Sequence, residues 1–211
     1  MGVVRAMGGR RSPVWRLMVA AAAGLIVVFV LLPRGPTPRR GSDEHRVSAG
    51  RAATESAPFA VTGDLAGFLR PWIGHVQGCL SAAQPGGPSL SRGETQRVTC
   101  AINGITVHFV SYRSIADRDY ARALAVSRNT EAQDLTSGVT RPEYLRTPSG
   151  RSTGAYVEYA YRVVVAQSSQ IVAGLWWDDT ALPLAGYMLA DWTVDLGGRW
   201  DPLRDVWQRL A

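Results

Sequence analysis

Apolar positions in this chain fall into one unbroken run near the start and several periodic segments after it. From Leu17 to Leu32 there is no charged residue, and Val14 and Trp15 extend the stretch. About 20 helical residues at ~1.5 Å rise cross a ~30 Å hydrocarbon core. The run therefore predicts a transmembrane helix over residues 14–33, with the lipid bilayer as its partner. Trp15 suits one interface, Arg16 can reach the headgroups, and Pro33-Arg34-Gly35-Pro36 ends the helix. A cleaved signal peptide needs small residues directly after the apolar run. Pro33-Arg34-Gly35 does not supply them, and Val47-Ser48-Ala49 lies too far on.

Beyond the run, residues 34–57 lack apolar periodicity and read as a flexible linker. Leu65, Phe68, Leu69, Trp72, Ile73, Val76, Cys79 and Leu80 recur at three-four spacing and predict an amphipathic helix, with Asp64 as N-cap and Pro71 as a kink or restart. Arg97–Ile102 and Ile105–Tyr112 alternate on either side of Asn103-Gly104, the signature of a tight hairpin. His108 falls on the polar face of its strand and is expected at the surface. Ser114 and Asp117 form a capping pair. It opens a helix of about fifteen residues, with Ile115, Ala116, Tyr120, Ala123 and Leu124 inward and Arg118 and Arg122 outward.

Residues 129–153 read as loop, with Glu143–Leu145 as a brief pairing segment. Ala155–Val165 and Gln170–Trp177 are apolar on both faces, as covered strands are. The pattern leaves open which of Trp176 and Trp177 shares a face with Tyr159 and Tyr161. Thr180–Ala190 suits an edge strand or a short helix. Asp201-Pro202 opens a final helix that turns Leu203, Val206, Trp207 and Leu210 inward. The fold class is α+β: an antiparallel sheet of four or five strands with helices packed on a face, preceded by one transmembrane helix. Residues 1–13 form a short tail, 14–33 the membrane helix, 34–57 the linker and 58–211 the folded domain.

Charge sharpens this division. The net charge is +6, yet residues 1–57 hold nine arginines against three acids, which is the whole excess. Residues 58–211 hold fourteen of each, so the domain has no basic footprint for nucleic acid. The arginines ahead of the apolar run bias the N-terminus to the cytoplasm and the domain to the extracytoplasmic side.

Two cysteines and three histidines leave no four-cysteine zinc site, and no Walker, dinucleotide or H-E-x-x-H motif is present. No cofactor is expected. In an oxidising compartment Cys79 and Cys100 can join as a disulfide, and two separate buried thiols or one reactive cysteine are the alternatives. Gly150-Arg151-Ser152-Thr153-Gly154 matches G-x-S-x-G, but a strand follows it where a hydrolase needs a helix, and no histidine comes after His108. Asp178-Asp179, with Asp191 and Asp195, reads as a strand-end turn and surface acids. Trp72, Trp192, Trp200 and Trp207 read as core. Tyr156, Trp176 and Trp177 form a binding surface if a sheet face is open.

The Cys79–Cys100 spacing, Thr99-Cys100-Ala101, Phe109–Ser114, Trp177-Asp178-Asp179-Thr180 and Leu203–Trp207 together resemble an extracytoplasmic module of actinobacterial single-pass membrane proteins. In some of these the module follows a serine/threonine kinase domain and a membrane helix. The resemblance covers about residues 75–210, with no kinase domain ahead of the apolar run and no second cysteine pair. It implies a non-enzymatic binding or sensing domain with no catalytic residues to carry over. An envelope hydrolase built on Ser152, Asp178 or Asp179, and an accessory subunit packing through Ala20–Gly24 against a membrane-protein partner, are the alternatives.

Overall fold

The computed structural model describes residues 61–165 and 168–211. The expected tail, membrane helix and linker (1–13, 14–33, 34–57) lie outside the described residues. No helix among the described residues is long and apolar enough to cross a membrane. The fold is α+β, and its sheet has seven antiparallel strands rather than four or five. They are β1 (Gln77–Ser81), β2 (Glu94–Ile102), β3 (Ile105–Tyr112), β4 (Glu143–Arg146), β5 (Thr153–Val165), β6 (Ser168–Asp178) and β7 (Leu184–Asp191), in the order β1-β2-β3-β7-β6-β5-β4. Two of the added strands are short edge strands: Gln-Gly-Cys-Leu-Ser has no apolar alternation to announce it, and Glu-Tyr-Leu-Arg is the brief pairing segment expected at Glu143–Leu145.

Helices cover both faces of the sheet, not one. On the first face lie α1 (Asp64–Leu69), a 3₁₀ turn (Arg70–Trp72) and α3 (Asp201–Leu210), packed over Val107, Phe109, Leu175, Trp177 and Met188. On the second lies α2 (Ile115–Leu135), over Val110, Val157, Tyr159, Trp176 and Ala185.

The first helix is far shorter than its periodicity suggests. Pro71 closes it in the 3₁₀ turn, and the chain re-enters the sheet as β1, so Cys79 sits on a strand rather than at a helix end. Asp64 is the first helical residue and Gly63 the cap. Asn103 and Gly104 take φ of 49° and 83°, the left-handed pair that a type I′ hairpin requires. Val165 pairs with Ser168, which puts Trp176 on the face of Tyr159 and Tyr161, and Trp177 opposite Tyr156. β7 is a strand, and it lies between β3 and β6 rather than at an edge. In α3 the inward residues are Leu203, Val206, Trp207 and Leu210 as expected, but Trp200 is the cap and Asp201 the first helical residue.

The second helix is turned about its axis relative to expectation, and it runs for 21 residues. Ser114 Oγ accepts the Asp117 amide at 3.1 Å and donates to its carboxylate at 3.0 Å, so the cap stands. Its buried residues are Arg118, Ala125, Asn129 and Ala132, while Ile115, Tyr120 and Leu124 face solvent. Small residues let the helix sit close to the sheet. Each buried polar side chain meets a backbone acceptor that pairing leaves free. Arg118 donates to the carbonyls of Asp179 and Leu182. Asn129 donates to Thr140 O at 2.7 Å and to Glu158 O at 2.6 Å. The Glu158 carbonyl is available because β4 pairs with β5 only as far as Tyr156.

Candidate functional site

Two aromatic side chains lie flat across neighbouring strands because the residue opposite is glycine. Trp177 covers Gly186, and Tyr159 covers Gly174; a Cβ at either glycine would overlap the ring. These rings become the floors of two concavities on opposite faces.

The first, about 360 Å³, lies between α1, the loop 149–152 and the segment from Asp179 to Leu184. Trp72 stacks on Trp177 with centroids 5.2 Å apart, and Phe68 adds a third ring at 6.5 Å from Trp177. Arg70 and Arg151 stand exposed at its rim. Gly67 lines the wall, and a Cβ there meets open space. The second, about 300 Å³, lies between α2 and the sheet, walled by Tyr112, Tyr159, Tyr161, Trp176 and Tyr187 and flanked by Arg97 and Arg128.

Tyr156, Trp176 and Trp177 are therefore not one surface. All three are buried; Trp177 floors the first cavity and Trp176 the second. Tyr156 lines neither cavity. It donates to Glu158 at 2.9 Å and sets its ring edge-on to Trp207. Trp72, Trp192, Trp200 and Trp207 are buried, as read from the pattern.

Asp178 and Asp179 are buried rather than surface acids, because Arg118 and Arg122 point inward. Asp178 accepts the Ala155 amide at 2.9 Å and the Trp176 indole at 3.0 Å, with Arg122 3.3 Å away. Asp179 lines the first cavity, but its Oδ1 closes a turn by accepting the amides of Ala181 and Leu182. Ser152 lines the same cavity. Its hydroxyl donates to Thr147 Oγ1 at 3.5 Å, and its loop is a turn with Gly150 at φ 70°. Of the two histidines in the described residues, His75 is exposed and His108 is on the opposite sheet face, so no serine–histidine pair forms here. The arrangement is suited to holding a molecule, and the described residues contain no cluster of metal-binding side chains.

Two polar features escaped sequence reasoning. Glu158 is fully buried and receives Arg204 Nε at 2.7 Å, Arg204 Nη2 at 2.9 Å, the Thr140 amide at 2.8 Å and Tyr156 Oη. Burial pushes its carboxyl up, but these hydrogen bonds, led by Arg204, outweigh it and hold the pKa below the ordinary value. His108 is half-buried, not exposed: it stacks on Tyr187 at 4.4 Å and bonds Thr99 Oγ1 at 2.9 Å. Burial, aided by nearby Arg97, pushes its pKa down to about 4. Burial also raises Tyr187 to about 12. The disulfide Cys79–Cys100 is formed, and it ties β1 to β2 rather than a helix to the sheet.

No family model matches the chain, no curated protein matches it, and no solved structure matches its fold.

Proposed function

We propose that the chain is a membrane-anchored, non-enzymatic binding domain that holds an envelope ligand in the cavity beneath α1. Residues 14–33 anchor it, its N-terminus is cytoplasmic, and its folded part is extracytoplasmic, in the manner of the single-pass modules it resembles. The cavity carries this reading: half-buried Phe68, backed by the buried rings of Trp72 and Trp177, gives it an apolar lining, and two exposed arginines at the mouth supply orientation. The disulfide supports an oxidising compartment. The balanced charge of residues 58–211 favours a ligand other than nucleic acid.

Gly67 offers a direct test, since it lines the cavity and a Cβ there meets open space. Full-length protein, purified in detergent, is melted in the presence of fractionated envelope extract. A ligand at a hundred times its Kd adds about 2.7 kcal/mol, which raises Tm by roughly 5–10 °C for a domain of this size. We expect at least one fraction to raise the Tm of the wild type and not of Gly67→Phe. If no fraction raises it, or if both proteins shift alike, the reading is wrong.

A further inference from the structure

We propose that the groove between α2 and the sheet is a second ligand site, and that it takes an acidic saccharide of one or two rings. The proposal stands apart from the cavity beneath α1, which lies on the other face of the sheet.

The groove offers hydroxyls rather than open ring faces. Tyr112, Tyr159 and Trp176 are only 4%, 5% and 4% exposed. Trp176 runs parallel to Tyr187 at 6.1 Å, His108 stacks on Tyr187, and Arg128 sits 4.2 Å above the ring of Tyr161. The phenol oxygens are different. Among the described residues, none of the four tyrosine hydroxyls of this groove has a hydrogen-bond partner, and none is sealed from solvent. Water meets them in the free protein, and a ligand that displaces this water must offer hydroxyls in its place or forfeit about 1–3 kcal/mol for each phenol it leaves unpaired.

Charge narrows the class. No carboxylate lines the groove. Arg97 is committed to Glu94 and Ser91, and its unpartnered Nε is sealed from solvent, so Arg128 is the cation of this groove that reaches a ligand. Arg128 has no carboxylate partner among the described residues. A polyol with one anionic group matches both sets of donors, because guanidinium pairs with carboxylate through two parallel hydrogen bonds. A nucleotide carries the charge, but its base needs an uncovered aromatic face to stack on, and those faces are occupied. A volume of about 300 Å³ suits a mono- or disaccharide rather than a length of polymer.

The test is a saccharide array printed with short uronic-acid glycans and their carboxyl-reduced counterparts, probed with the full-length chain. Any bound glycan is then titrated by calorimetry. We expect binding to acidic members and not to reduced ones. Arg128→Gln should weaken it by about tenfold or more, the scale of one hydrogen bond to a charged group. Tyr161→Phe with Tyr187→Phe keeps both rings and removes two hydroxyls; it should weaken binding similarly while leaving the melting curve in place. The proposal fails if no acidic saccharide binds, if reduced glycans bind equally, or if a nucleoside monophosphate run alongside binds more tightly. Loss of glycan binding in Gly67→Phe, with the groove variants unaffected, would assign the ligand to the other cavity and overturn it too.

Discussion

Replacing Arg204 with methionine should destabilise the domain and reverse the sign of the contribution that Glu158 makes to its pH dependence. Glu158 has no exposed side-chain surface, and Arg204 gives it two charge-assisted hydrogen bonds at 2.7 and 2.9 Å, plus a third bond to Gly138 O. Breaking a buried pair from one side typically costs 3–5 kcal/mol. Arg204 is about one-third exposed, so water reaches part of the site, and about 2–4 kcal/mol is a fair expectation. In the wild type the folded-state pKa of Glu158 is depressed. Its contribution is therefore complete above the unfolded value near 4.3 and is lost as pH falls through the folded pKa. Without Arg204, burial is opposed only by Tyr156 and the Thr140 amide, so the folded pKa rises. Relative to the wild type, the variant should then lose stability as pH climbs from about 4 towards 7, where this pair leaves the wild type flat. Urea titrations of both proteins at pH 4, 5.5 and 7 read both effects. Adding Glu158→Gln should remove the difference in pH slope from the wild type. A cost under about 1 kcal/mol, or a gap from the wild type that does not widen with pH, would refute the reasoning.

Three other perturbations address separate parts of the fold. Replacing Cys79 and Cys100 together with serine should cost about 3 kcal/mol, given their separation of 21 residues, read as a lower urea midpoint matched by reducing the wild type. His108 is neutral when folded and charged at low pH when unfolded. The wild type should thus lose stability as pH falls from about 6.5 to about 4, and His108→Gln should flatten that limb of the curve. Gly186→Ala should cost about 1–3 kcal/mol and shift the tryptophan emission, because a Cβ there displaces the indole of Trp177; unchanged emission would count against the flat-ring packing.

The chain announces its regular pairings well. Alternation and the Asn103-Gly104 turn fix the β2–β3 hairpin, and the long apolar strands β5 and β6 are evident because both faces are covered. What stays hidden are contacts across long separations. Glu158 and Arg204 are 46 positions apart, and no local spacing links them. Helix α2 misleads for a related reason: its inward face is built from Ala125, Asn129, Ala132 and Arg118, chosen to fit backbone acceptors on the sheet, while its larger apolar residues face out. Hydrophobic periodicity reports burial by apolar area, and this helix is docked by polar bonds and close approach. The apolar repeat carries the helical pattern on past Pro71 to Cys79, although the helical backbone ends in the turn at Trp72. The aromatic trio is not one surface whatever the register, which decides only whether Trp176 or Trp177 joins Tyr159 and Tyr161. Trp176 and Trp177 are adjacent in sequence and so point to opposite faces.

Both margins of the sheet are brief. β1 has five residues, an irregular register against β2 and Gly78 at φ 61°; β4 has only four residues. An open sheet of seven strands usually risks zipping onto a second chain along its exposed border. Here each border is too short, and one is too kinked and cross-linked, to template another strand over any length. Association by strand addition is thereby discouraged at both ends, and encounters with other molecules are directed to the two broad faces.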